Sequence, residues 1–268
     1  MMNIQKILVQ IKNDFENAIK TARFNGNTYL NGNKAKEALI RSQKIINLIH
    51  EFVKNDFVIC GVPPQMIFPP VGSSNPEIKV KGFLKSKNQD VTIIPNESQI
   101  VLSDTDSPDN ETILSVNIRS QLSSLSKNID TLYERTFAEA LNLHLSYPRQ
   151  CLGEVYLIPT HEYDDKAMLQ NKVAFKSVSK IESYIKMFQA INNRRDAEKD
   201  GYKYERVCLL IVDFRPENPK LYNTIDELKK DGLVPQDSTV TLESLTSKDI
   251  AKDLLAVYKS RFGKKSIS

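Results

Sequence analysis

This sequence predicts an α/β fold with a mixed central β-sheet flanked by helices. Three observations carry that expectation. Apolar residues recur at helical spacing near both ends of the chain and in its middle. Short β-branched runs lie between those stretches, and in the second half strands and helices alternate. Alternation favours parallel pairing, because a parallel strand must be reached by a crossover, and helices then cover the sheet.

Residues 3–24 read as a helix, with Ile4, Ile7, Leu8, Ile11, Phe15 and Ile19 on one face. Asn25 to Asn33 holds two glycines among asparagines and reads as a turn. Residues 34–55 read as a second helix, carrying Ala38, Leu39, Ile45, Ile46, Ile49 and Phe52 or Val53. Cys60 to Pro76 contains five prolines, so it reads as a loop; its Val62, Met66, Ile67, Phe68 and Val71 should pack on the domain. Three strands follow, Glu77–Leu84, Asn88–Ile94 and Thr112–Gln121, the last two joined by an acidic, turn-prone loop at 103–111. Residues 127–146 read as a strong helix with Ile129, Leu132, Tyr133, Phe137, Ala140, Leu141 and His144 on its apolar stripe. Then come a strand at 153–159, a helix at 178–195, a strand at 206–214, and helices at 224–230 and 247–262. The 206–214 strand is the most apolar and is expected to be central. The whole reads as a single domain over 1–268, with 1–56 as an N-terminal helical part.

Composition excludes more than it selects. The 268 residues are 40% hydrophobic and carry a net charge of +4, compatible with nucleic acid only through local clusters of Lys and Arg. Cys60, Cys151 and Cys208 are far apart and odd in number, which points to free thiols in a reducing compartment. Met-Met-Asn-Ile-Gln-Lys lacks the apolar block of a signal peptide and no apolar run reaches membrane-spanning length, so the expectation is a cytoplasmic protein without a membrane partner. His50, His144 and His161 lack metal-ligand spacing, and His144 reads as a packed core residue. With 9 glycines there is no phosphate-cradling loop, and no nucleophile elbow occurs.

The informative stretch is 77–134. Asp90 stands at the start of the second strand, and Asn117, Arg119 and Gln121 share one side of the third, since alternate strand residues share a face. Carboxylates converging from adjacent strands can hold a divalent cation, which activates water and neutralises a phosphate. Glu77, Glu134, Glu139 and Glu154 are candidates for a second carboxylate. Lys79, Lys81, Lys85 and Lys87 form a basic run before Asp90, the 119–128 loop is rich in Ser, Gln, Asn and Lys, and Arg194 and Arg195 end a helix beside Asn192 and Asn193. Such residues bind phosphates and read bases, and equally furnish ordinary solvated faces.

The segment from Val116 to His144 resembles the part of type II restriction endonucleases, of the PD-(D/E)xK superfamily, where a catalytic strand runs through a loop into a DNA-reading helix. Glu134-Arg135 resembles a Glu-Arg pair on that helix, Tyr147-Pro and Gly153-Glu-Val-Tyr-Leu-Ile-Pro its next strand, and Lys85-Ser-Lys-Asn-Gln-Asp-Val the strand that brings the first Asp. The likeness covers roughly residues 76–215. It implies a restriction-endonuclease-like fold, Mg²⁺ as cofactor, double-stranded DNA as substrate, a two-fold homodimer for a palindromic site, and a cognate DNA methyltransferase as genetic partner. The family's core has one Asp, then an acid and a Lys two apart on the next strand. Asp90 matches the first; Asn117 and Arg119, or Arg119 and Gln121, stand at the others, where a carboxylate is missing. The resemblance makes Asp90, Asn117, Arg119 and Gln121 the catalytic set and Asp90 and Glu77 the metal ligands. DNA contacts would come from Lys85, Lys87, Ser123, Ser124, Lys127, Asn128, Glu134 and Arg135. A non-catalytic DNA-binding or interaction protein on the same fold is the alternative, and the missing acid–Lys pair favours it.

Overall fold

The computed structural model describes residues 3–95, 108–122, 125–178, 180–263 and 267, with backbone alone at 108–109, 125–128 and 177–178. In chain order the helices are α1 (Ile4–Thr21), α2 (Gly32–Arg41), α3 (Lys44–Ile59), α4 (Leu125–His144), α5 (Asp165–Leu169), α6 (Ile181–Ala190), α7 (Ile225–Lys230) and α8 (Ile250–Phe262). The strands are β1 (Arg23–Phe24), β2 (Asn27–Thr28), β3 (Ile67–Phe68), β4 (Ile78–Val80), β5 (Lys87–Gln89), β6 (Val91–Ile93), β7 (Leu114–Ser120), β8 (Cys151–Pro159), β9 (His161–Tyr163), β10 (Phe175–Val178), β11 (Arg206–Asp213) and β12 (Lys220–Tyr222).

Six strands form the central sheet in the order β12-β11-β8-β7-β6-β3. The sheet is mixed: β3, β6 and β7 run antiparallel, β7, β8 and β11 are parallel, and β12 closes one edge antiparallel to β11. Helix α4 makes the β7-to-β8 crossover, and α5 and α6 lie in the β8-to-β11 crossover.

Period-two alternation along β7, β8 and β11 splits the apolar residues into two cores. Leu114, Val116, Ile118, Val155, Leu157, Leu210 and Val212 face α1, α3 and α8. Leu152, Tyr156, Ile158, Val207, Leu209 and Ile211 face α4 and α6. Every residue of β8 and β11 is buried, as a strand covered by helices on both faces requires. A Cβ at Gly153 would meet Leu254 Cδ1 at 2.9 Å and Val116 Cγ2 at 3.1 Å, so a larger residue here would have to displace those side chains between β8 and α8.

The mixed sheet, its helical cover and the parallel pairing of the later strands agree with the sequence expectation. Several details are corrected. The helix read at 34–55 is two, because Ser42 caps the first and Gln43 takes a left-handed conformation (φ 61°) before the second. The strand read at 77–84 spans only 78–80 and pairs with 87–89 in a separate hairpin. The strand read at 88–94 bends at Asp90, so 91–93 alone enter the central sheet. Residues 67–68, read as loop, form its edge strand; the loop's Val62, Met66 and Ile67 are buried as expected, Phe68 is half-buried, and Val71 is exposed rather than packed on the domain. The helix read at 178–195 spans 181–190, because Ile191 begins a turn in which Asn193 has φ 66°. β11 lies second from the edge rather than at the centre. Of the acidic loop, 103–107 lies outside the described residues, and 108–112 is a 3₁₀ turn. Among the described residues no helix is long and apolar enough to cross a membrane.

Candidate functional site

The bend at Asp90 and the register of the sheet build one polar centre. Val91 pairs with Val116, which sets Asp90 beside Asn117 and Ile118, and Asp90 Oδ2 accepts the Ile118 N–H at 2.6 Å. On the other side of β7, Asn117 pairs with Glu154 and Arg119 with Tyr156 of β8. Asn117, Arg119, Glu154 and Tyr156 therefore share the face covered by α4, which contributes Glu139. An open cavity of about 510 Å³ is lined here by Asp90, Asn117, Arg119, Gln121, Arg135 and Glu139, among others.

Arg119 is the hub. Its Nη1 donates to Glu154 Oε1 at 2.9 Å and its Nη2 to Glu139 Oε2. Glu139 Oε1 accepts from Lys87 Nζ and lies 3.8 Å from Arg135 Nε. Burial pushes the Asp90 carboxyl up to about 6, and the charges of Glu77 and Glu139 add to that against Ile118 N–H and Arg119. Burial likewise pushes fully enclosed Glu154 up to about 8; Arg119 opposes, while Glu139 and Asp90 reinforce. Burial would also raise Glu139, but Arg119, Lys87 and Arg135 outweigh it and hold that carboxyl low. Arg119 is itself raised, since Glu154 and Glu139 overcome its desolvation.

The sequence-derived residues fall into three groups. Asp90, Asn117, Arg119 and Gln121 come together on one cavity wall, with Tyr156 Oη donating to Gln121 Oε1 at 3.4 Å. Lys87 and Arg135 also line the cavity, although Lys87 is engaged with Glu139. Glu77, Lys85 and Glu134 are not brought to that wall: Glu77 is half-buried and acts on Asp90 through its charge, while Lys85 and Glu134 are exposed nearby. Ser123 and Ser124 lie outside the described residues, as do the side chains of Lys127 and Asn128. Arg194 is no surface cation; it is 2% exposed and its Nη1 donates to Glu205 Oε1 at 3.0 Å. His144 is a core residue as expected, bonded to Gly201 O and Gln150 O. The cavity wall from Ile40 and Ile46 was not legible, because it depends on how α2 and α3 dock.

Oxygen donors for a hard cation are present. Asp90 lines the cavity, and Glu154 Oε2 is buried with no hydrogen-bond partner while feeling the Asp90 charge. Among the described residues no three His, Cys, Asp or Glu side chains already enclose a metal ion. Mg²⁺ commonly uses one or two carboxylates, completing its shell with water and substrate phosphate, and Asp90 with Glu154 fits that donor chemistry. No protein-family model, curated protein or solved structure matches the chain.

Proposed function

We propose that this protein is a Mg²⁺-dependent endonuclease that hydrolyses phosphodiester bonds of double-stranded DNA at a short specific sequence, on a restriction-endonuclease-like single domain. The observation that supports it best is the seating of Asp90 against Ile118, beside Asn117 and Arg119, in the wall of an open polar cavity. The strand order β3-β6-β7, then α4, then parallel β8 fits the same reading. In it, Asp90 holds the cation, with Glu154 as second carboxylate and Glu77 setting the local field. The cation supplies charge neutralisation at the phosphate and an activated water. Arg119 meets the phosphate, and Asn117 and Gln121 orient the attacking water. Lys85, Lys87 and Arg135 hold the backbone, while Glu134 and residues 123–128 read bases. A palindromic target would be met by a two-fold homodimer, and a companion DNA methyltransferase would protect the host's own sites.

A second reading, a non-catalytic DNA-binding protein, is favoured by Asn117 standing where an acid would serve and by Arg119 being held between Glu139 and Glu154. Incubation of phage DNA with the protein and Mg²⁺ separates the two. The nuclease reading expects discrete fragments, absent with Asp90→Asn although that variant still binds DNA. DNA binding without cleavage across several metals and salts sinks the nuclease and leaves the binder.

A further inference from the structure

We propose that the Gly82–Lys85 turn is an apolar wedge that enters the base stack of duplex DNA beside the cavity; the proposal rests on the DNA-binding reading above. Phe83 and Leu84, adjacent at the tip of the β4–β5 hairpin, are 64% and 82% exposed. Side by side, the two form a small apolar patch at a turn, unlike the scattered single residues that need no explanation.

The tip is held stiffly. Phe83 N donates to Asn142 O at 2.7 Å, and Leu84 N and Lys85 N donate to Asn142 Oδ1 at 2.8 and 3.2 Å. Asn142 Nδ2 returns a bond to Lys85 O at 2.9 Å, and Gly82 N closes the turn on Lys85 O at 3.2 Å. A Cβ on Gly82 would fall 2.0 Å from Asn142 Nδ2, so the turn requires glycine to sit this close on α4. Both side chains are thus aimed outward on a backbone that has little freedom left to lose on binding.

Charge complementarity selects the occupant. Lys79, Lys81 and Lys85 are exposed on the same hairpin. An apolar tip ringed by lysines suits a polyanion with an apolar interior, which describes stacked base pairs between phosphate backbones. The hairpin also runs directly into the site: β5 carries Lys87, paired with Glu139, and leads to Asp90. Asn142 lies less than one helical turn beyond Glu139 on α4, so wedge and cavity share one support.

The test uses the full chain without divalent cation at low salt, and duplexes carrying 2-aminopurine at successive positions, whose fluorescence rises when a base unstacks. Binding is expected to raise the signal at one step. Phe83→Ala/Leu84→Ala should remove that rise and weaken binding roughly tenfold, the worth of a base–aromatic contact, with the salt slope unchanged. Lys79→Ala/Lys85→Ala should keep the rise and lower the slope by about 2. Thermal melts check that each variant is folded. Binding by the unaltered chain with no rise at any position overturns the wedge alone, as does an apolar double variant that retains rise and affinity. A change in sedimentation of the DNA-free apolar double variant would assign the turn to contact between copies, also against the proposal. Absence of all DNA binding would fail the underlying function as well.

Discussion

Arg119 Nη1 meets Glu154 Oε1 at 2.9 Å across the parallel β7–β8 pair, where the Glu154 side chain has no exposed surface. One carboxylate oxygen is thereby satisfied, while Oε2 stays buried without a partner. The folded protein therefore binds a proton at Glu154 more tightly than the unfolded chain does, with a pKa of about 8 against 4.5. Stability that Glu154 permits at low pH is lost as pH rises between those values. We predict that lowering pH from about 8 to 6 stabilises the fold by up to roughly 2 kcal/mol, and that Glu154→Gln flattens this dependence. Urea titrations at both pH values decide it; equal slopes in parent and variant would refute the assignment.

Asp90 titrates lower, at about 6, and a carboxylate ligand must be ionised to hold a cation. With Asp90 and Glu154 as the proposed ligands, Mg²⁺ should raise the melting temperature most above about pH 8, where both carboxyls are ionised, less between 8 and 6, and least below about 6. In Asp90→Asn the amide oxygen can still accept from Ile118 N, so the fold should survive while the Mg²⁺ response vanishes. An equal Mg²⁺-dependent shift in the variant would remove Asp90 from the site.

Asn142 makes three side-chain hydrogen bonds to the 84–85 backbone. At about 1 kcal/mol net each, Asn142→Ala should cost roughly 2–3 kcal/mol. Amide exchange at Leu84 and Lys85 should accelerate before that of β7. Unchanged protection at Leu84 would show that the turn is held by something else.

Glu205 anchors a second buried charge cluster remote in character from the cavity. Leu152 N donates to it at 2.7 Å, Arg194 Nη1 donates at 3.0 Å, and Arg261 Nη2 lies 2.8 Å away. Burial would raise its pKa, but His144, Arg261 and Leu152 N–H outweigh it and keep the carboxyl ionised. Glu205→Gln leaves two enclosed guanidinium groups short of their counter-charge and should cost about 3–5 kcal/mol. A denaturation midpoint within error of the parent would disprove this role.

What was legible in the sequence follows the range of each force. Period-two and helical apolar spacing is local, so β7, β8, β11, α4 and α8 were all locatable. The row Asn117, Arg119, Gln121 follows from strand alternation alone, and these residues do share the cavity wall with Asp90. The pairings of Arg119 with Glu154 and of Lys87 with Glu139 depend on register between segments 35 and 52 residues apart, which no local pattern encodes. Glu139 and Glu154 stood only among several candidate acids for that reason. Arg194 misled because a basic residue at a helix end looks alike in sequence whether it meets water or Glu205.

Helix α8 reaches back across the whole molecule. Leu254 packs on Gly153, Ala251 N donates to Asp56 Oδ2 at 3.1 Å, and Tyr258 Oη donates to Thr112 O at 2.7 Å. Synthesis runs from the N-terminus, so Asp90, Arg119 and Glu154 all leave the ribosome well before this helix exists. Until it emerges, the face of β8 that carries Gly153 lacks the cover of Leu254. Ribosome-stalled chains ending before Ile250 should therefore be cut by protease within β8, whereas chains released past Phe262 should resist. Order of manufacture thus puts full enclosure of the Arg119–Glu154 pair after residues 250–262 have been made.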